Sequence, residues 1–318
     1  MGKFRTRFIK SRDGTTLRTA VWDDGQAVHP RVCTILGGQT EYLEKYEEVA
    51  GELAARGFAV ATFDWRSQGG SARPLSDPLK VHVDDFARYD DDLAEFLDQV
   101  VAPLSSDPPL ALAHSMGGHI LLRTLHDRPE RFAGAVLSAP MIQAVTAPYP
   151  ASVARFICRL QNLTGQKNAW VWGMAGRDPL KLAFEDNRVT SDRGRYMRNR
   201  AVLEQDQGLR TAGATWGWLE AAYRSMARQA EAGFVEAIRT PVLVLGAGGD
   251  RIVETSATRA LAARLPNGTY VELPASEHEI LMETDPVREQ FWQAFERFLA
   301  DRVAGRAPIM TATGTGLS

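Results

Sequence analysis

Ser115 stands between an apolar run, Leu110-Ala-Leu-Ala113-His114, and a segment of helical pattern that begins Met116-Gly117-Gly118-His119-Ile120. A serine at a strand-to-helix junction presents its hydroxyl on a tight turn, where neighbouring backbone crowds the positions two before and two after it, so small residues are required there. Gly117 meets that demand fully, and Ala113 adds one methyl. The chemistry open to such a residue is nucleophilic. It needs a base to take the hydroxyl proton and a carboxylate to orient the base and stabilise it once charged. Six histidines are available, His29, His82, His114, His119, His126 and His278. Asp250 ends the glycine-rich turn Gly246-Ala-Gly-Gly249 that follows the apolar run 242–245, which puts a carboxylate at the end of a strand; Glu254 lies close behind as the alternative acid.

The strand-serine-helix pattern resembles the nucleophile elbow of the α/β-hydrolase superfamily. That resemblance implies a chain order of serine, then acid, then histidine. His119 and His126 fall on the helix leaving the elbow, so His278, in Pro274-Ala-Ser-Glu-His278-Glu-Ile-Leu, is the base that remains. Between Asp250 and His278 there is room for one helix, 254–265, and one strand. The resemblance also implies an oxyanion hole built from the backbone N–H of Met116 and that of Gly38, in the loop Leu36-Gly37-Gly38-Gln39-Thr40-Glu41-Tyr42. Leucine replaces the histidine that usually opens this loop. The stretch Asp64-Trp-Arg66-Ser-Gln-Gly69-Gly70-Ser71 resembles the superfamily's D-x-R-G-x-G-x-S segment and is read as structural bracing. No metal or organic cofactor is implied.

The elements that must position these residues follow from hydrophobic periodicity. Runs 7–10 and 16–22 flank Asp13-Gly14 and read as an antiparallel hairpin. Short β-branched runs at 32–36, 59–63, 110–113, 134–138, 242–245 and 269–273 alternate with helical patterns such as 45–56 and 85–100. The fold expected is α/β: the α/β-hydrolase fold, an eight-stranded mostly parallel sheet with helices on both faces. Between about 140 and 239 the alternation stops and amphipathic helices take over. Val153, Phe156, Ile157, Leu160 and Leu163 share one face with Arg155 and Arg159 opposite, and Trp216, Leu219, Tyr223 and Met226 repeat the pattern. The division expected is a core at 1–139 and 240–300, a helical cap at 140–239 and a small, polar, mobile tail at 301–318.

Three stretches resemble monoacylglycerol lipases and bacterial lysophospholipases over nearly the whole chain: Gly37-Gly-Gln-Thr-Glu-Tyr-Leu-Glu-Lys-Tyr46, the elbow His114-Ser-Met-Gly-Gly118, and Asp192-Arg-Gly-Arg-Tyr-Met-Arg-Asn-Arg-Ala201 leading to Ala214-Thr-Trp-Gly-Trp218. The resemblance implies hydrolysis of carboxylic esters of monoacyl lipids through an acyl-serine. Phe156, Trp216 and Trp218 are the residues expected to wall an acyl site, and the cap is expected to touch a membrane surface transiently. A small-ester esterase or an acyltransferase would use the same residues, whereas a non-catalytic binding protein would be expected to lack a triad member. The cluster Arg188, Arg193, Arg195, Arg198 and Arg200 has two readings, attraction of a phosphate head group and solvated helix faces, and the second is preferred.

Composition agrees with an enzyme-sized globular protein. Of 318 residues 44% are hydrophobic and 24% charged, and the net charge of -2 advertises no polyanionic partner, so nucleic acid is excluded as a partner. Two cysteines, Cys33 and Cys158, make neither a disulfide framework nor a metal site and are expected to be buried and reduced. With no secretory signal and no apolar run of spanning length, the expected location is cytoplasmic, at most peripheral at the inner membrane surface.

Overall fold

Eight strands form one sheet because six of them are short apolar runs that must be covered on both faces. The computed structural model describes residues 2–23, 31–175 and 177–303. The strands are β1 (Lys3–Lys10), β2 (Thr16–Asp23), β3 (Arg31–Leu36), β4 (Phe58–Phe63), β5 (Leu110–His114), β6 (Gly134–Ser138), β7 (Val242–Ala247) and β8 (Gly268–Leu273). Their spatial order is β1-β2-β4-β3-β5-β6-β7-β8. β2 runs antiparallel to β1 and β4; every other neighbouring pair is parallel. This is the α/β-hydrolase fold with its mostly parallel sheet.

The two-residue period of the strands divides the core. Val242 and Val244 of β7 join one apolar cluster, with Tyr89, Leu93 and Phe96 from α2 (Ala87–Phe96) and Ile120 and Leu121 from α3 (Met116–Asp127). Leu243 and Leu245 face the other way, into a cluster with Val49 and Leu53 of α1 (Glu47–Ala55) and Phe291 and Phe295 of α8 (Asp285–Phe298). Each buried leucine or phenylalanine contributes about 1.5–3 kcal/mol. The sheet is thereby held rigidly between two helical layers, and its carboxyl edge becomes a fixed platform.

Between β6 and β7 the chain carries α4 (Ala151–Leu163), α5 (Arg193–Gln205) and α6 (Trp216–Ala230). Gly213–Ala214 does pair in parallel with Lys80–Val81, a strand where none was expected. Two residues are too few to leave a periodic signal, yet the ladder moors the start of α6 to the body of the fold. Helix α7 (Thr255–Arg264) joins β7 to β8. The last helical turn, Leu299–Val303, runs past the point where the tail was expected to begin, and the rest of that tail lies outside the described residues. Both cysteines are buried. Among the described residues no helix is long and apolar enough to cross a membrane.

Candidate active site

Ser115 follows the last residue of β5 and caps α3 with φ 49° and ψ -114°, a left-sided backbone that a non-glycine residue adopts only when its surroundings hold it. The holding contacts are visible. Ser115 N–H donates to the Ser138 carbonyl at 3.0 Å, and its own carbonyl accepts from Met141 N–H at 3.0 Å and His119 N–H at 3.1 Å. Gly117 allows the turn to close: a Cβ there would fall 2.3 Å from the Leu36 carbonyl oxygen and 2.6 Å from that of Gly37.

His278 reaches the serine from the loop after β8. Its Nε2 lies 2.9 Å from Ser115 Oγ and its Nδ1 lies 2.7 Å from Asp250 Oδ2. Asp250 leaves the end of β7, and its Oδ1 accepts from the N–H groups of Ile252 at 2.8 Å and Val253 at 2.9 Å. Burial alone would raise the Asp250 carboxyl; hydrogen bonding and attraction to His278, with the two backbone donors, outweigh that and hold it below its ordinary value. The three side chains predicted from sequence are thus brought into one hydrogen-bonded line. Glu254, the alternative acid, precedes α7 and makes no hydrogen bond to His278.

The oxyanion donors are placed less simply. Met116 N–H opens α3, where no carbonyl of the same helix lies a turn earlier, and it has no acceptor among the described residues. Gly38 lies against the serine, since a Cβ on it would sit 3.2 Å from Ser115 Cβ. Its N–H, however, donates to the Glu41 carboxylate rather than toward open space. A carboxylate three residues along the same loop competes for local backbone donors.

Glu41 belongs to a buried charged group that the sequence reading did not single out. Its carboxylate also accepts from Lys45 Nζ at 2.7 Å and Tyr46 OH at 2.5 Å, and Lys45 bridges to Glu279 at 2.6 Å. Burial pushes both carboxyls up; attraction to Lys45 and His114 with hydrogen bonds from Lys45 and Tyr46 pull Glu41 well down, while Glu279 stays raised. The i, i+4 spacing of Glu41 and Lys45 was the available signal. His114 packs its ring 4.8 Å from that of His278 and donates from Nδ1 to the Ser138 carbonyl at 3.1 Å. Burial lowers its pKa to about 4, so it is neutral at neutral pH and adds no charge beside His278.

The bracing segment holds the loop that carries Gly38. Gln68 Nε2 donates to the carbonyls of Gly38 at 2.7 Å and Glu41 at 3.2 Å, and Trp65 Nε1 donates to that of Gly37 at 2.9 Å. Asp64, fully buried, accepts from Arg18 Nε at 2.6 Å, Leu43 N–H at 2.8 Å and Gly70 N–H at 2.7 Å.

A cavity of about 430 Å³ is lined among others by Thr40, Tyr42, Ile252 and Glu279; Glu279 adjoins His278 in the chain, and no triad residue lines the cavity itself. None of the three predicted acyl-site residues lines it. Trp218 is buried against Phe86 and donates to Tyr89 OH at 3.1 Å. Trp216 is buried edge-on to Trp172, and Phe156 is 67% exposed on α4. Helical periodicity finds an apolar face but not what that face meets. Of the arginines read as solvated, Arg188 is exposed and unpaired among the described residues, whereas Arg193, Arg195, Arg198 and Arg200 are all paired. Arg195 donates to Glu48 at 2.8 and 2.9 Å and to Asp285 at 2.7 Å, which fastens α5 to α1 and α8. Among the described residues no group of three or more histidine, cysteine, aspartate and glutamate side chains is placed to hold a metal ion.

The serine aminopeptidase S33 family matches residues 28–285. Lysophospholipase L2 of Escherichia coli strain K12 is 34% identical over 268 residues, 82% of this chain and 77% of that one. A probable lysophospholipase L2 of Haemophilus influenzae is 27% identical over 297 residues, 93% of this chain and 92% of its own. A soluble variant of monoglyceride lipase from Saccharomyces cerevisiae, solved with a substrate analogue, superposes with a TM-score of 0.72 over 94% of this chain and 97% of that one; at 18% identity it speaks for the fold.

Proposed function

Because the chain belongs to the serine aminopeptidase S33 family, and its relatives matched over most of their length carry lysophospholipase names, we propose that it cleaves the single acyl ester of a monoacyl lipid through an acyl-serine intermediate. The chain is a carboxylic-ester hydrolase acting on lipid esters. The finer steps are read from its residues. Ser115 Oγ attacks the ester carbonyl as His278 Nε2 takes its proton, and Asp250 holds the imidazole and offsets the charge it gains. The carbonyl oxygen, now negative, is received by Met116 N–H, with Gly38 N–H as second donor once its peptide turns away from Glu41. Collapse breaks the ester bond, and His278 gives its proton to the departing head-group alcohol. Water, deprotonated by His278, then releases the fatty acid and restores Ser115.

The observation that carries this reading is the line Ser115 Oγ to His278 Nε2 to Asp250, at 2.9 and 2.7 Å. Contact with a lipid surface is proposed through α4, whose Val153, Phe156, Leu160 and Leu163 are all exposed, beside Trp172. A cytoplasmic location, peripheral to the membrane, goes with that proposal. The test is labelling with a fluorophosphonate, followed by kcat/KM on lysophospholipid, monoacylglycerol and nitrophenyl acetate. Wild type should label where Ser115→Ala does not, and should favour the long monoacyl esters. Absence of label, or a preference for acetate, would overturn it.

A further inference from the structure

Two cations in the cavity lining have no counter-ion among the described residues. Arg177 and Arg188 line it from separate positions in the segment between α4 and α5, both exposed. Neither side chain makes a hydrogen bond, ion pair or ring contact with any described residue. The other basic groups in the lining are engaged: Lys45 by Glu41 and Glu279, Arg210 by Asp178 at 2.7 Å, Arg200 by Glu204 at 2.9 Å and by two backbone carbonyls. Exposed guanidinium groups are stable in water, so two of them alone decide little.

A second observation points to an acceptor-rich ligand. Thr211 lines the same cavity, is 3% exposed, and its hydroxyl has no hydrogen-bond partner among the described residues. A buried hydroxyl left unpaired costs about 1–3 kcal/mol unless a ligand completes it. Asp186 is also in the lining and makes no ion pair with any described residue. Two free cations, a buried donor and one free carboxylate suit a ligand that has a phosphate and, further out, an amine. Guanidinium is the side chain best shaped for phosphate oxygens.

We propose that this cavity receives the phosphodiester head group of a lysophospholipid: Arg177 and Arg188 bind phosphate oxygens, Thr211 donates a further hydrogen bond, and Asp186 faces the head-group amine. The inference rests on the ester-hydrolase reading above and adds the substrate class to it. A volume of about 430 Å³ is within the range of pockets that enclose small molecules.

The experiment measures kcat/KM for lysophosphatidylethanolamine and for the monoacylglycerol of the same chain, in wild type, Arg177→Gln, Arg188→Gln and the double variant. Each single change should lower the lysophospholipid value about tenfold more than the monoacylglycerol value, mainly through KM, and Thr211→Val about threefold more. Equal losses on both lipids, or none on either, would overturn the head-group site while leaving ester hydrolysis standing. A wild type inactive on both would overturn the hydrolase reading itself. In a second arm, glycerophosphoethanolamine and inorganic phosphate are tested as inhibitors of monoacylglycerol hydrolysis. Glycerophosphoethanolamine should inhibit wild type more strongly than the double variant; inhibition by inorganic phosphate of equal strength would mean a free-anion site and also overturn the proposal.

Discussion

Arg195 lays its guanidinium on Glu48 through two hydrogen bonds, 2.9 Å from Nε and 2.8 Å from Nη2, across 147 residues of chain. The same carboxylate accepts from Arg198 at 2.5 Å and Arg288 at 2.9 Å, so one glutamate on α1 ties α5 and α8 together. Burial opposes its ionisation, but these arginines bring its pKa down to about 2. A carboxyl lowered on folding stabilises the native state above its unfolded value, and that contribution is lost as pH falls from about 4.5 toward 2. Glu48→Gln should therefore destabilise the fold at pH 7 by about 1–3 kcal/mol, between surface and buried ion pairs. Denaturant unfolding of both proteins from pH 7 to 2.5 checks it: the gap should narrow in acid, and a constant gap would mean that packing, not charge, is responsible.

The triad predicts a graded set of losses. Ser115→Ala and His278→Ala should each cut kcat by several orders of magnitude without unfolding the protein, and Asp250→Asn by about 10⁴, because the amide favours the wrong tautomer of His278. Glu254→Gln should be near neutral, as its side chain has no bond to His278. Steady-state kinetics with circular dichroism on each variant decides this; an Asp250→Asn enzyme close to wild type would remove the assigned orienter.

Two adjacent glycines should behave differently. Alanine at 117 would put its methyl 2.3 Å from the Leu36 carbonyl oxygen, forcing the oxyanion loop away from the elbow, whereas alanine at 118 has its tightest contact at 3.0 Å, with Pro140 Cβ. Gly117→Ala should cost about 3 kcal/mol of stability together with most of kcat, and Gly118→Ala about 1 kcal/mol or less. Thermal melts and turnover, measured together, test the ranking; equal effects would contradict the close approach at Gly117.

How much of this was legible in the sequence depended on range. Ser115, Asp250 and His278 each sit just beyond a recognisable strand, so local pattern and chain order were enough to bring them together. Glu41 was missed because the direction of the Gly38 N–H is set by the path of a loop, which leaves no periodic trace. Trp218 was placed in an acyl wall when its partners are Phe86 and Tyr89, more than a hundred residues away. Arg195 was called solvated for the same reason: nothing near it in sequence announces Glu48.

Helix α4 gives the last prediction, since its apolar face points outward where an inward wall was expected. Only Cys158 of this helix is buried, while Phe156 is 67% and Leu163 77% exposed, and Trp172 nearby is 66% exposed. An apolar stripe left in water along a helix costs free energy that a lipid surface recovers as methylenes leave water, about 0.8 kcal/mol for each one fully buried. Phe156→Asp and Leu163→Asp should each lower partitioning onto phospholipid vesicles about tenfold. Turnover of nitrophenyl acetate in free solution should stay within about twofold, because neither residue touches the triad. Vesicle sedimentation measures the first quantity and bulk assay the second. A double variant that sediments as wild type does would show that the stripe is not the docking face; one that also loses acetate turnover would show instead that α4 supports the site from outside.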